Sequence, residues 1–272
     1  PYVKWVELEM APAVPDDTRG RSLHRANGLD TQTGAGRNYT GSGIGVMCRD
    51  DGSVGNHIDF EGRIFGLVGP NSGTHGDGVS RIMAGAGNLN PSNRGMAAGA
   101  DLHVVQYQSS FLDSPTVNLI NSGDVQITNS SYSNGCNDGY LANTQTVDSQ
   151  IRDIPTLVHV FSAGNSNNSN CGYGAGNQWG NITGGHKQAK NCMTTANVFF
   201  DGSLVNSSSR GPAHDGRIKP DIAANGQNQI STSTNNTYQT FGGTSGAAPG
   251  IAGIAAQLYE AYGDANGGAL PQ

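Results

Sequence analysis

The feature that most narrows what this chain can fold into is a rhythm of short apolar runs separated by helix-length stretches. Residues 44–48, 102–107, 125–128, 157–162 and 192–198 have strand length and nearly continuous apolar character, the pattern of strands covered on both faces. Between them, residues 78–86, 114–121 and 144–153 read as helices, the last closed by Pro155. This alternation predicts an α/β domain of three layers, a mostly parallel central sheet flanked by helices. Sites in such sheets gather at the carboxyl ends of the strands, so the residues that end each run carry the most interest. Residues 244–262 form a different object, with Gly, Ala and Ile on all sides, which suits a helix sunk in a close-packed core. No internal repeat and no Pro-rich or charged linker divides the sequence, and residues 1–272 read as a single domain.

Composition removes several classes of partner. The chain holds 15 basic against 21 acidic residues, a net charge of −6, and no Lys/Arg block, which argues against nucleic acid or an anionic membrane surface. No apolar stretch reaches the roughly 18 residues that a membrane helix needs. The 41 Gly and 27 Asn hint at low complexity, but the glycines follow no period, so collagen-like structure is excluded and they mark turns, caps and close approaches. Six N-x-S/T sequons, beginning at Asn38, Asn129, Asn167, Asn181, Asn206 and Asn235, carry no weight in so Asn-rich a chain. The sequence begins at Pro1 with no basic or apolar leader, so a processed product is expected. Cys48 and Cys192 sit in apolar runs and are expected as buried free thiols. Cys136 and Cys171 sit in polar loops, where a disulfide between them is expected, and with it an oxidising compartment.

Four positions invite chemistry. His75 stands at a Ser-Gly-Thr-His-Gly turn just before a helix-like run, where a base is held rigidly while its ring projects into a cleft. Asp50 follows the run 44–48 and can orient an imidazole, although chemistry alone does not separate it from Asp51. Ser245, within Gly242-Gly-Thr-Ser-Gly-Ala-Ala-Pro249, enters the most apolar helix, where the helix dipole and its own N–H favour a developing anion. A plain helix start with Pro in the first turn explains the same residues. Asn165 opens an Asn-rich loop, as an amide donor to developing charge or as a turn residue. Gly41-Ser-Gly43-Ile-Gly45 precedes a strand rather than following one, so a phosphate-binding fingerprint does not apply. His24, His103 and His159 lie in an amphipathic stretch and in strands, and read as ordinary.

Taken together, these segments resemble the subtilisin-like serine peptidases, the subtilases, and do so in the family's Asp, His, Ser order. Tyr39-Thr-Gly-Ser-Gly-Ile-Gly-Val46, leading to Asp50-Asp-Gly52 and His57-Ile-Asp-Phe60, resembles the aspartate region, and its register selects Asp50. His75-Gly-Asp-Gly-Val79 with Gly95-Met-Ala-Ala-Gly-Ala100 resembles the histidine region, and Phe161-Ser-Ala-Gly-Asn165 the oxyanion segment. Ser208-Ser-Arg-Gly-Pro212, Lys219-Pro-Asp221 and Gly243-Thr-Ser-Gly-Ala-Ala-Pro249 resemble the serine region.

The resemblance implies a secreted, monomeric serine endopeptidase that acts on extended polypeptides through an acyl-enzyme on Ser245. Asp50 and His75 would complete the triad, and Asn165 would join the Ser245 N–H in an oxyanion hole. Ser131, Tyr132 and Ser133 would form one wall of the pocket for the side chain before the cut, and Ser162, Ala163 and Gly164 the other. The segment after Tyr107 would supply the opposite edge of the cleft. A Cys136–Cys171 bond would then clamp two walls of one site. No cofactor is implied for catalysis; structural calcium is left open, with Asp59 at a position used for it and residues 88–93 replacing a loop that often carries ligands. Departures from the family pattern are Arg49 before Asp50, the second acid Asp51, Gly78 in place of a frequent His, Gly246 in place of Met, and a long 165–191 loop with Cys171, Tyr173, Trp179 and His186. Arg49 is expected either to perturb Asp50 or to pair with another acid. The competing readings are a peptide transpeptidase or cyclase on the same fold, a serine-carboxyl peptidase, and a non-catalytic polypeptide-binding module.

Overall fold

The computed structural model describes residues 19–272 except 32, 53, 55, 70–72, 109–112, 137, 138 and 173. Its strands are β1 (Gly45–Asp50), β2 (Ile64–Val68), β3 (Asp101–Gln106), β4 (Ile127–Ser130), β5 (Val158–Ser162), β6 (Met193–Val198), β7 (Ile222–Asn225), β8 (Gln229–Ser233) and β9 (Thr237–Phe241). The helices are α1 (Arg19–Leu23), α2 (Ala26–Leu29), α3 (His75–Ala84), α4 (Ser114–Asn121), α5 (Ala142–Asp153) and α6 (Thr244–Ala265). Seven strands make one parallel sheet in the order β2-β3-β1-β4-β5-β6-β7, and β8 and β9 form a separate antiparallel hairpin.

Alternation along the strands builds the layers. Val46 and Cys48 of β1 join Leu102, Val104, Ile127 and Val160 on the face that meets Val79 and Met83 of α3 and Ala248, Ala252 and Ala256 of α6. Met47 between them points the other way, to Val105 and to Leu119 of α4, while Phe161 packs on Val147 and Ile151 of α5. A sheet covered on both faces needs apolar residues at consecutive positions, which is why these strands read as unbroken runs. Helix α6 runs under β4 to β7, with Ala247, Ala248, Ala252 and Ala256 fully buried. Near its far end Glu260 accepts the N–H groups of Thr40 (2.6 Å), Gly41 (2.6 Å) and Ser42 (3.1 Å), which lead into β1.

Some elements differ from the sequence reading. Strand β1 runs two residues past its apolar run, because Arg49 and Asp50 are both buried in polar company. Helix α3 starts at His75 rather than at 78. Strand β2 escapes the apolar pattern because it is an edge with Phe65 and Leu67 turned outward, 63% and 55% exposed. Cys136 and Cys171 are joined by a disulfide, and Cys48 and Cys192 are free and buried. Among the described residues no helix is long and apolar enough to cross a membrane.

Candidate active site

Asp50 is the last residue of β1 and His75 the first of α3, so a strand end and a helix start set the two side chains together. Asp50 Oδ1 lies 2.6 Å from His75 Nδ1 and also accepts the Asp51 N–H at 2.9 Å. A carboxylate there fixes the proton on Nδ1 and leaves Nε2 as the basic nitrogen of the neutral ring. The Asp50 side chain is 1% exposed and that of His75 40%, so the ring is held from inside and open outside. Phe241 of β9 flanks it with ring centroids 5.1 Å apart. Burial depresses the His75 pKa, but the Asp50 hydrogen bond and the charges of Asp50 and Asp51 outweigh it, and the net shift is upward.

Asp51 has a task that the sequence did not reveal. The Thr74 side chain makes no capping bond to α3, and the Asp51 carboxylate takes that place from 24 residues upstream, accepting the N–H of His75 (3.2 Å) and of Gly76 (2.8 Å). It thereby satisfies orphan donors of the helix whose first residue is His75.

Ser245 is the second residue of α6. Its hydroxyl donates to the Ser131 carbonyl at 3.0 Å. Of the backbone donors in this turn, Thr244 N–H goes to Asn165 Oδ1 at 2.9 Å, and those of Gly246 and Ala247 go to the Gly243 carbonyl. The Ser245 N–H has no acceptor among the described residues. Asn165 Oδ1 also accepts the Thr244 hydroxyl at 3.2 Å, and Asn165 is exposed. An N–H with no acceptor in the same residue as an available hydroxyl is a donor of the kind that a tetrahedral oxyanion needs.

Ser131, Tyr132 and Ser133 continue β4 without strand pairing, while Ser162 ends β5, paired with Thr195 of β6, and Ala163 and Gly164 follow it. Gly164 N–H donates to Thr244 Oγ1 at 3.2 Å, tying the second segment to α6. Tyr132 stacks on Tyr107 at 4.7 Å, and a cleft of about 430 Å3 is lined by Tyr107, Gln108, Tyr132, Ser133 and Asn134. Residues 109–112, within the expected opposite edge, and Tyr173 of the long loop lie outside the described residues. The disulfide ties the continuation of the first wall to the loop that follows Asn165.

The departures have physical reasons. Arg49 does not pair with Asp50: alternation along β1 sends it to the opposite face, where it is fully buried against Asp113, Thr116 Oγ1 (3.0 Å) and the Tyr132 hydroxyl. A Cβ on Gly78 would lie 2.5 Å from the Phe241 ring, and one on Gly246 would lie 2.6 Å from the Gly226 carbonyl. Asp59 is fully buried, its oxygens accepting the Leu89 N–H (3.1 Å) and the Tyr238 hydroxyl (3.2 Å), and Asn90 accepts the Ser92 N–H at 3.0 Å. Each of these oxygens thus holds one protein donor. No group of three or more His, Cys, Asp or Glu placed to share a metal ion occurs among the described residues.

Comparison with known proteins matches this architecture. The model of the subtilase family, Peptidase S8, matches residues 41–270. The subtilisin-like serine protease AsES of Sarocladium strictum is 28% identical over 218 residues, 80% of this chain and 54% of its own length. C5a peptidase of Streptococcus pyogenes is 51% identical over 59 residues, 22% of this chain and 5% of its own. The chain thus spans about half of one of these relatives and a small part of the other. Among solved structures, the Clostridium perfringens CspB protease superposes with a TM-score of 0.70 at 17% identity, covering 90% of this chain and 89% of that one. The prenylagaramide maturation protease PagA gives 0.69 at 20% identity, covering 90% and 84%.

Proposed function

Since the chain belongs to the subtilase family, we propose that it is a serine endopeptidase working through Asp50, His75 and Ser245. The observation that carries this reading is the 2.6 Å contact of His75 Nδ1 with a buried carboxylate. It leaves Nε2 as the basic nitrogen of a ring that is 40% exposed, as a general base requires. In the reaction the Ser245 hydroxyl leaves the Ser131 carbonyl, gives its proton to Nε2 and attacks the peptide carbonyl. The oxyanion is received by the Ser245 N–H and Asn165 Nδ2, each worth about 10²–10³ in turnover. The imidazolium, stabilised by Asp50, then protonates the leaving amine, and water takes the serine's part against the acyl-enzyme. The segment after β4, which pairs with no strand, suits an extended polypeptide that adds its backbone there, whereas Ala163 and Gly164 after β5 already spend their backbone groups on Thr195, Thr183, Ser209 and Thr244.

A disulfide between polar loops supports an oxidising, extracellular setting. Asp59 is proposed as the anchor of the 88–93 loop rather than as a calcium ligand. A fluorophosphonate tests the reaction: at neutral to alkaline pH the native protein is expected to acquire one adduct, on Ser245, that His75→Ala strongly slows. A native protein that never takes the adduct overturns the assignment.

A further inference from the structure

Lys187 lies in the short turn Gly185–Gln188 and is fully buried. Its Nζ is 3.4 Å from Ser133 Oγ, 3.4 Å from Ser162 Oγ and 3.5 Å from Thr183 Oγ1, and among the described residues it has no carboxylate partner. A buried ammonium normally has a counter-ion or loses its proton, and burial alone pulls Lys187 down to about 7. The three hydroxyls around it are the clue to what is missing. Ser133 is exposed on one wall of the cleft, and its hydroxyl is 2.6 Å from that of Thr183. Thr183 in turn packs against the other wall, where a Cβ on Gly164 would come within 2.2 Å of its hydroxyl. The ammonium therefore sits one layer of hydroxyls beneath both walls, with Thr183 of that layer lying against Gly164, the residue that precedes Asn165.

We propose that Lys187, with the hydroxyls of Ser133 and Thr183 as its outer layer, is a carboxylate-binding floor that directs cleavage to follow an acidic side chain. This rests on the endopeptidase reading above. Thr183 gives its hydrogen to Ser133 across their 2.6 Å contact, and Ser133, which also accepts from the ammonium, gives its single hydrogen to the carboxylate, so the charge is relayed outward through Ser133. Glutamate supplies the counter-ion that Lys187 lacks, whereas glutamine, of the same shape, leaves the cation buried and unpaired.

The test uses matched peptide substrates with Glu, Gln or Leu before the cut. The expected result is a kcat/KM for Glu at least about tenfold above Gln, with Lys187→Met and Thr183→Val each shrinking that ratio. The ratio in the unaltered protein needs no variant to fold. Equal cleavage after Glu and Gln, or a preference for Leu, in protein that labels on Ser245 overturns the floor and leaves the peptidase reading intact. If no label appears, the peptidase reading fails instead, and the floor is judged by binding. Tighter binding of the Glu peptide than of the Gln peptide, lost in Lys187→Met, then supports it, and equal binding overturns it.

Discussion

Asp51 acts on His75 without touching its ring. The carboxylate pins the two N–H groups that begin α3 and also adds negative charge that raises the His75 pKa. Asp51→Asn keeps one acceptor and removes the charge, so the ring's pKa falls back. Because the neutral ring is the active base, the acidic limb of kcat/KM is expected to move to lower pH, by up to about one unit, and an unmoved limb would show that Asp51 only caps. Stability should fall by about 0.5–2 kcal/mol for the weakened cap. Arg49 is a second case of a polar residue whose effect is indirect, since it neutralises Asp113 on the far face and holds the Tyr132 hydroxyl beside the cleft. Arg49→Met strands a buried carboxylate and is expected to cost about 3–5 kcal/mol, read by urea unfolding. Adding Asp113→Asn should recover part of it, and simple additivity of the two losses would refute the coupling.

At the scale of elements, what could be read from sequence followed the kind of burial. Strands β1, β3, β5 and β6 are buried on both faces, so apolar continuity marks them. The β8–β9 hairpin instead docks on α3 through hydroxyls, Ser231 Oγ to the Gly78 carbonyl at 2.6 Å and Thr232 Oγ1 to the Asp77 carbonyl at 2.7 Å. Hydrophobic patterning does not register such packing. The Asp50, His75, Asn165 and Ser245 positions stood at the ends of readable elements and in motifs with fixed order. The roles of Asp51 and Lys187 depend on which distant segments come together, and no local pattern carries that. The hairpin also explains Gly78: Gly78→Ala would push Phe241 off α3 and away from His75. We expect a loss of about 1–3 kcal/mol in thermal or urea unfolding together with slower turnover, and unchanged values for both would show that β9 yields freely.

Over the whole molecule, buried histidines set the response to acid. His159 and His186 are fully buried, and burial lowers the first to about 3 and the second well below its ordinary value. Unfolded, both titrate near 6.5. The unfolded chain therefore binds more protons as pH drops below 6.5, and stability present at neutral pH is lost on the way down towards 3. Two such groups give a slope of up to roughly 3 kcal/mol per pH unit. His75, with its raised pKa, has the opposite sign: its contribution is full below 6.5 and fades as pH rises through the raised pKa, so it offsets part of the loss. Urea unfolding at pH 7.5 and 5 should show the loss, while equal stabilities would mean that these rings are already charged in the fold. A steep loss sits poorly with an enzyme of acidic optimum, which weakens the serine-carboxyl peptidase reading.

The grip of Glu260 on residues 40–42 gives α6 one more consequence. One end of this helix carries Ser245, and the other fixes the chain that enters the strand ending in Asp50. Ser245 and Glu260 stand fifteen positions apart along the helix, roughly 22 Å at 1.5 Å per step. The helix is thus a ruler between the nucleophile and the acid, and its length in residues belongs to the active-site geometry. Deleting one residue between them would turn Ser245 by about 100° relative to Glu260. Such a deletion should abolish fluorophosphonate labelling, whereas Glu260→Gln, which keeps the count, should only slow it, and equal labelling of the two variants would mean that the grip sets no distance at all.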